Sequence, residues 1–147
     1  VLAGAVLTAS FSYWEGGAWQ RRNEPRRRFL DAVEVLVMLD RAQDEGRALR
    51  PEDLRREVKV GYDELGSVLD RLAQAGYVQR GARDGWALLR RAEQIPLAEL
   101  FRLFVYRPEQ HAQDDDIAAE VEALLGPAMA QLGEVSVAAF ARRVGRK

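Results

Sequence analysis

The clearest periodicity along the chain lies at residues 61–76. Tyr62, Leu65, Val68, Leu69 and Leu72 recur at the spacing that places them on one face of a helix, and Gly76 stands where a left-handed helix stop is wanted. Two short strand-like runs follow, 77–80 and 86–89, joined by Gly81-Ala82-Arg83-Asp84-Gly85, whose Asp-Gly pair is a hairpin-turn signal. Upstream, Phe29, Ala32, Val33, Leu36 and Leu39 or Asp40 supply the inward stripe of a helix over 29–45 that Gly46 closes. A shorter helix starts at Pro51, with Glu52 and Asp53 favourable near the positive end of its dipole and Leu54 and Val58 facing inward. Helix, helix, helix, hairpin is the winged-helix order, and Trp86 is expected to cover the core from the wing.

Residues 29–107 are therefore read as a winged-helix domain. The fold class is mainly α with a small β-hairpin, a winged-helix core plus C-terminal helices. Pro96 opens a fourth helix whose Leu97, Leu100, Phe101 and Phe104 make a broad apolar face ending before Pro108, and the two phenylalanines are read as core. Residues 108–147 form a C-terminal helical extension. Its first helix is amphipathic through Ile117, Val121, Leu124, Leu125 and Leu132, with a kink or break expected near residues 124–126 because Pro127 removes a backbone donor. Ser136 caps a last helix with Val137, Phe140 and Val144 as its buried side.

The amino-terminal end has a different character. Residues 1–14 carry no charge, and fourteen helical residues reach roughly 21 Å at ~1.5 Å each, short of the ~30 Å hydrocarbon layer. Small residues at Ala3, Gly4, Ala5, Ala9 and Ser10 suit close packing against other helices in a bilayer. Tyr13, Trp14 and Trp19 fall where an aromatic belt sits, and Arg21, Arg22, Arg26, Arg27 and Arg28 follow at once, as on a cytoplasmic boundary. The basic residues come after the apolar run, which is the wrong order for a signal peptide. Residues 1–20 are read as the end of a transmembrane helix whose membrane-interface residues are these aromatics and arginines. Residues 21–28 are read as a basic juxtamembrane linker. The chain opens on Val1 and is read as a fragment of something longer.

Composition narrows the chemistry. With 22 basic and 23 acidic residues the net charge is −1, which gives no bulk affinity for polyanions. There is no cysteine, so disulfides, thiolate metal sites and cysteine nucleophiles are excluded. No glycine-rich phosphate loop or serine nucleophile elbow occurs. His111 with Asp114, Asp115 and Asp116 reads as a solvated, capping loop, and Glu52, Asp53 and Glu57 as a solvated helix face. No catalytic, metal or cofactor site is expected. Nucleic acid is not the expected partner either. The recognition-type helix leads with Tyr62, Asp63 and Glu64, whereas DNA affinity rests on cations that neutralise phosphate. Lys59, Arg71, Arg80, Arg83, Arg90 and Arg91 make only a modest patch, partly offset by Asp84. The expected partners are the lipid bilayer, through the amino-terminal helix, and other proteins or a second copy.

With these elements placed, the chain resembles the C-terminal part of the YihY/BrkB family of bacterial inner-membrane proteins. The resemblance is carried by Gly4-Ala5-Val6-Leu7-Thr8-Ala9-Ser10 with Tyr13-Trp14, by Asp31-Ala32-Val33-Glu34, by Ala75-Gly76-Tyr77-Val78, and by the passage from Gly85-Trp86 to Ile95-Pro96-Leu97-Ala98-Glu99-Leu100. It covers about residues 1–107. It implies a multi-span protein with residues 21–147 cytoplasmic and the tail in a structural or partner-binding role. Several members carry an old ribonuclease BN label, the one pointer to an enzyme, for which this stretch would be an accessory domain. The Rrf2-type transcription regulators share the helix–helix–helix–wing order. That resemblance implies a DNA-binding regulator, and the absence of cysteine excludes the iron–sulfur cluster that many of them hold.

Overall fold

A computed structural model describes residues 24–106 and 116–145. The elements are α1 (Pro25–Asp44), α2 (Pro51–Val58), α3 (Tyr62–Gln74), β1 (Val78–Arg80), β2 (Trp86–Leu88), α4 (Leu97–Phe104), α5 (Asp116–Gly133) and α6 (Val137–Gly145). Single 3-10 turns occupy Ala82–Asp84 and Ala92–Gln94. The expected winged-helix order is present, with β1 and β2 paired antiparallel.

The central element is α1. Ala32, Val33, Val35, Leu36, Val37, Leu39 and Ala42 are all buried, so it is covered on nearly every side by α2, α3, α4, α6 and the hairpin. The sequence stripe identified one side of this helix; the other side is buried by elements that arrive from far along the chain. The helix also starts four residues earlier than the periodicity suggested, at Pro25, because a proline in the first turn already has helical φ and its missing N–H costs nothing there. Residues 25–28, read as linker, are thus its first turn.

At the other end Gly46 adopts φ 70°, and the Arg47 N–H reaches the Ala42 carbonyl at 2.7 Å. The same left-handed stop ends α3 at Gly76, where φ is 82° and the Tyr77 N–H bonds to Leu72 at 3.0 Å. Along α3, Leu65, Val68, Leu69 and Leu72 are buried as expected. Tyr62 is not: it is 60% exposed, with the Arg55 guanidinium 5.6 Å from its ring centre.

The hairpin turn differs in register from the Asp-Gly expectation. Arg83 and Asp84 carry the positive φ values, 59° and 56°, and the Gly85 N–H closes the turn onto the Ala82 carbonyl at 3.3 Å. Gly85 serves packing instead: a Cβ there would lie 2.7 Å from Cβ of Ala48. That proximity exists because Leu49 and Trp86 exchange two backbone hydrogen bonds, 2.7 and 3.1 Å, stitching the α1–α2 connection to the wing. Trp86 is buried, as expected.

Residues 116–145 do not pack as one extension. Ser136 caps α6 through the Ala139 N–H at 3.1 Å, as expected. α6 then enters the same core as α1: the Val137 N–H bonds to Ile95 at 2.8 Å and the Leu97 N–H to Val135 at 2.9 Å. Val137, Ala138 and Ala141 are buried, Phe140 is half-buried and Val144 is exposed, so the inward face is rotated from the expected one toward the alanines. By contrast α5 runs unbroken through Pro127 and has no buried residue.

Candidate interaction surface on the recognition helix and wing

The outer side of α3 is where a winged helix reads DNA, so its composition decides what the surface can do. A shallow groove of about 490 Å³ runs along it, bordered by Tyr62, Asp63, Ser67, Asp70, Arg71 and Gln74. Asp63, Ser67, Asp70 and Gln74 are exposed. Arg71, the one cation of the helix, is half-buried with its guanidinium 5.6 Å from the Phe104 ring centre, turned toward α4. The fully exposed positions of this face therefore carry two carboxylates and no lysine or arginine.

Two of the wing arginines also lie over aromatic rings. Arg80 stacks on Trp86 at 5.3 Å. Arg90 stacks on Tyr77 at 5.5 Å and donates to Glu99 Oε2 at 2.9 Å. The Tyr77 hydroxyl donates to that same oxygen at 2.7 Å. Burial, then the bond and the negative charge of Glu99, push the Tyr77 hydroxyl up to about 12. This three-residue knot ties the hairpin to α4. Sequence reading missed Glu99 because the residues are far apart, and spacing gives no sign of a pairing set by the fold. Arg80, Arg83 and Arg91 are exposed, with Arg83 at the wing tip.

On α1, within electrostatic reach of Glu64 of α3, Asp31 is 4% exposed and the one buried charged residue among those described. Arg27 pairs with it at 3.4 Å, one turn earlier on α1. Burial pushes its carboxyl above the ordinary carboxylate range, Arg27 opposes that, and the charge of Glu64 adds to it. Of the predicted membrane-interface residues, Tyr13, Trp14, Trp19, Arg21 and Arg22 lie outside the described residues. Arg26 and Arg27 are exposed and Arg28 half-buried on the first turn of α1. The His111–Asp115 stretch (111–115) also lies outside.

A second cleft, about 570 Å³, opens between α4 and α5 with Glu99, Arg102, Tyr106, Glu122, Leu125 and Met129 among its walls. Its charged groups are half-buried or exposed, Glu99 is already bonded to Tyr77 and Arg90, and no nucleophile–base pair faces it. Among the described residues no group of histidines and carboxylates could hold a metal ion, and no helix is long and apolar enough to cross a membrane.

The chain is similar throughout its length to proteins named as membrane proteins. It is 61% identical over 147 residues to the UPF0761 membrane protein of Chromobacterium violaceum, covering all of this chain and 35% of the relative. It is 47% identical over 132 residues to the UPF0761 membrane protein NMB0524 of Neisseria meningitidis, covering 90% of this chain and 32% of that protein. The chain thus spans about a third of the length of the curated relatives it matches. No protein-family model matches it. Among solved structures, IscR of T. potens superposes with a TM-score of 0.63 at 18% identity, covering 80% of this chain and 85% of that one. CymR of B. subtilis, the global cysteine regulator, does so with a TM-score of 0.61 at 13% identity, covering 78% and 93%. At such identities the likeness establishes the winged-helix fold and nothing further.

Proposed function

We propose that this chain is the cytoplasmic winged-helix tail of a multi-span bacterial inner-membrane protein of the YihY/BrkB type, with a structural or protein-binding role. The observation that supports this most is the match, over its whole length, to 35% of a relative named a membrane protein. The uncharged run 1–14, the aromatics at 13, 14 and 19 and the arginines behind them fit the junction between bilayer and tail. With α1 beginning at Pro25, that junction leads almost directly into the central helix of the domain. The test is co-sedimentation of residues 1–147 and 24–147 with liposomes. The longer chain should pellet with lipid and the shorter stay in solution; equal behaviour without lipid binding rules the reading out.

A second reading, a DNA-binding regulator, draws on the shared fold with IscR and CymR. The charge on α3 opposes it, because carboxylates at Asp63 and Asp70 would face the phosphates and base edges. Fluorescence anisotropy with random duplex DNA at ~50 mM salt separates the two. Affinity weaker than micromolar favours the tail reading, and tight binding with a steep salt slope favours the regulator.

A further inference from the structure

Among the described residues, three of the exposed large apolar side chains lie together on the outer face of α5. Ile117 and Leu124 are 74% and 73% exposed, Val121 is 40% exposed, and the three recur at i, i+4 and i+7 as one stripe that Ala128 continues. The adjoining stripe, Leu125, Met129 and Leu132, is half-buried and rests on the body of the domain. Such an outward stripe on an 18-residue helix is surface that water does not favour.

Charge decides what covers it. α5 contains Asp116, Glu120 and Glu122 and no lysine or arginine, so the negative surface of a bacterial membrane repels it. All three carboxylates lie in its first seven residues, and from residue 123 to 133 the helix is uncharged. That division is self-complementary in one orientation. Two copies packed antiparallel lay each acidic half on the other's uncharged half, whereas a parallel pair stacks carboxylates on carboxylates.

We infer that the Ile117–Val121–Leu124 face of α5 is the contact with a second copy of this chain, the two helices running antiparallel. With the pair centred between residues 122 and 123, Val121 meets Leu124 and Ile117 meets Ala128 of the other copy. A single helix pair buries less than a standard protein–protein interface, so association of separate chains is weak and concentration-dependent. It strengthens when both copies are held in one plane at high effective concentration. The inference holds whether or not the chain is attached to a membrane.

Sedimentation equilibrium of the 147-residue chain in mild detergent tests it, together with disulfide trapping in a sequence that has no cysteine of its own. Wild type should shift from monomer to dimer with concentration. Leu124→Glu should stay monomeric with an unchanged melting temperature when dilute, since the side chain is exposed. Mixing Ile117→Cys with Ala128→Cys chains should give a cross-linked heterodimer. Either variant alone should not cross-link, because its two cysteines lie about 16 Å apart along the helix axes, beyond disulfide reach. A wild type that is monomeric at every concentration, a dimer indifferent to Leu124→Glu, or efficient cross-linking of Ile117→Cys alone overturns the proposal.

Discussion

Two helices of similar length, α1 with 20 residues and α5 with 18, end in opposite circumstances. Both have apolar side chains in helical periodicity, and from the pattern alone both ask for a partner. α1 is enclosed by most of the fold, while α5 touches it with one stripe and leaves the next in water. The difference teaches that amphipathicity states a need for burial without saying what meets it. For α1 the answer lies within the chain; for α5 we propose a second copy.

The sharpest way to break this contrast is to remove a leucine from each side. Leu69→Ala, at 2% exposure against α1, should cost about 2–5 kcal/mol in urea unfolding through lost burial and a residual cavity. Leu124→Ala, measured on dilute chain, should cost less than about 0.5 kcal/mol beyond helix propensity. Equal costs would mean that α5 is packed as tightly as α1.

A smaller effect probes the seam between the wing and the rest. Gly85→Ala places a Cβ against Ala48 and should destabilise by about 1–3 kcal/mol, as overpacking does, without altering the turn. Gly81→Ala is the control, since its added Cβ meets nothing closer than 3.7 Å. An innocuous Gly85→Ala would mean the Leu49–Trp86 bridge yields easily.

The knot between Tyr77, Arg90 and Glu99 should give the mildest signature, and one confined to alkaline pH. Because the folded hydroxyl is pushed up to about 12 from the ordinary 10.0, its contribution is complete below pH 10 and is lost as pH rises from 10 toward 12. Wild type should therefore lose stability across that interval more steeply than Tyr77→Phe, which should cost about 1 kcal/mol near neutrality. Parallel alkaline limbs would show that burial and Glu99 do not hold the hydroxyl above its ordinary value.

How much of this was legible in the sequence follows from the range of each interaction. α3, its glycine stop and the hairpin were readable because local periodicity and turn chemistry specify them. Even there Tyr62 sat on the apolar spacing and proved exposed, since a first-turn position can point past the edge of the core. The start of α1 was hidden because arginines at a helix beginning look like linker. The burial of Asp31, the Leu49–Trp86 bridge and the return of α6 beside Ile95 were invisible, each depending on elements that only the fold brings together. The acidic character of the recognition surface was visible in Asp63. What completes it on the helix, Arg71 turned onto Phe104, depends on packing.

The most direct measurement of the central claim uses the natural gene product in its own membrane, with an epitope placed after Lys147. The account predicts that the epitope fractionates with the inner membrane, resists protease added to intact spheroplasts and is digested in inverted vesicles, placing the winged helix on the cytoplasmic side of a membrane protein. An epitope recovered in the soluble fraction bound to DNA, or cleaved in intact spheroplasts, would contradict it.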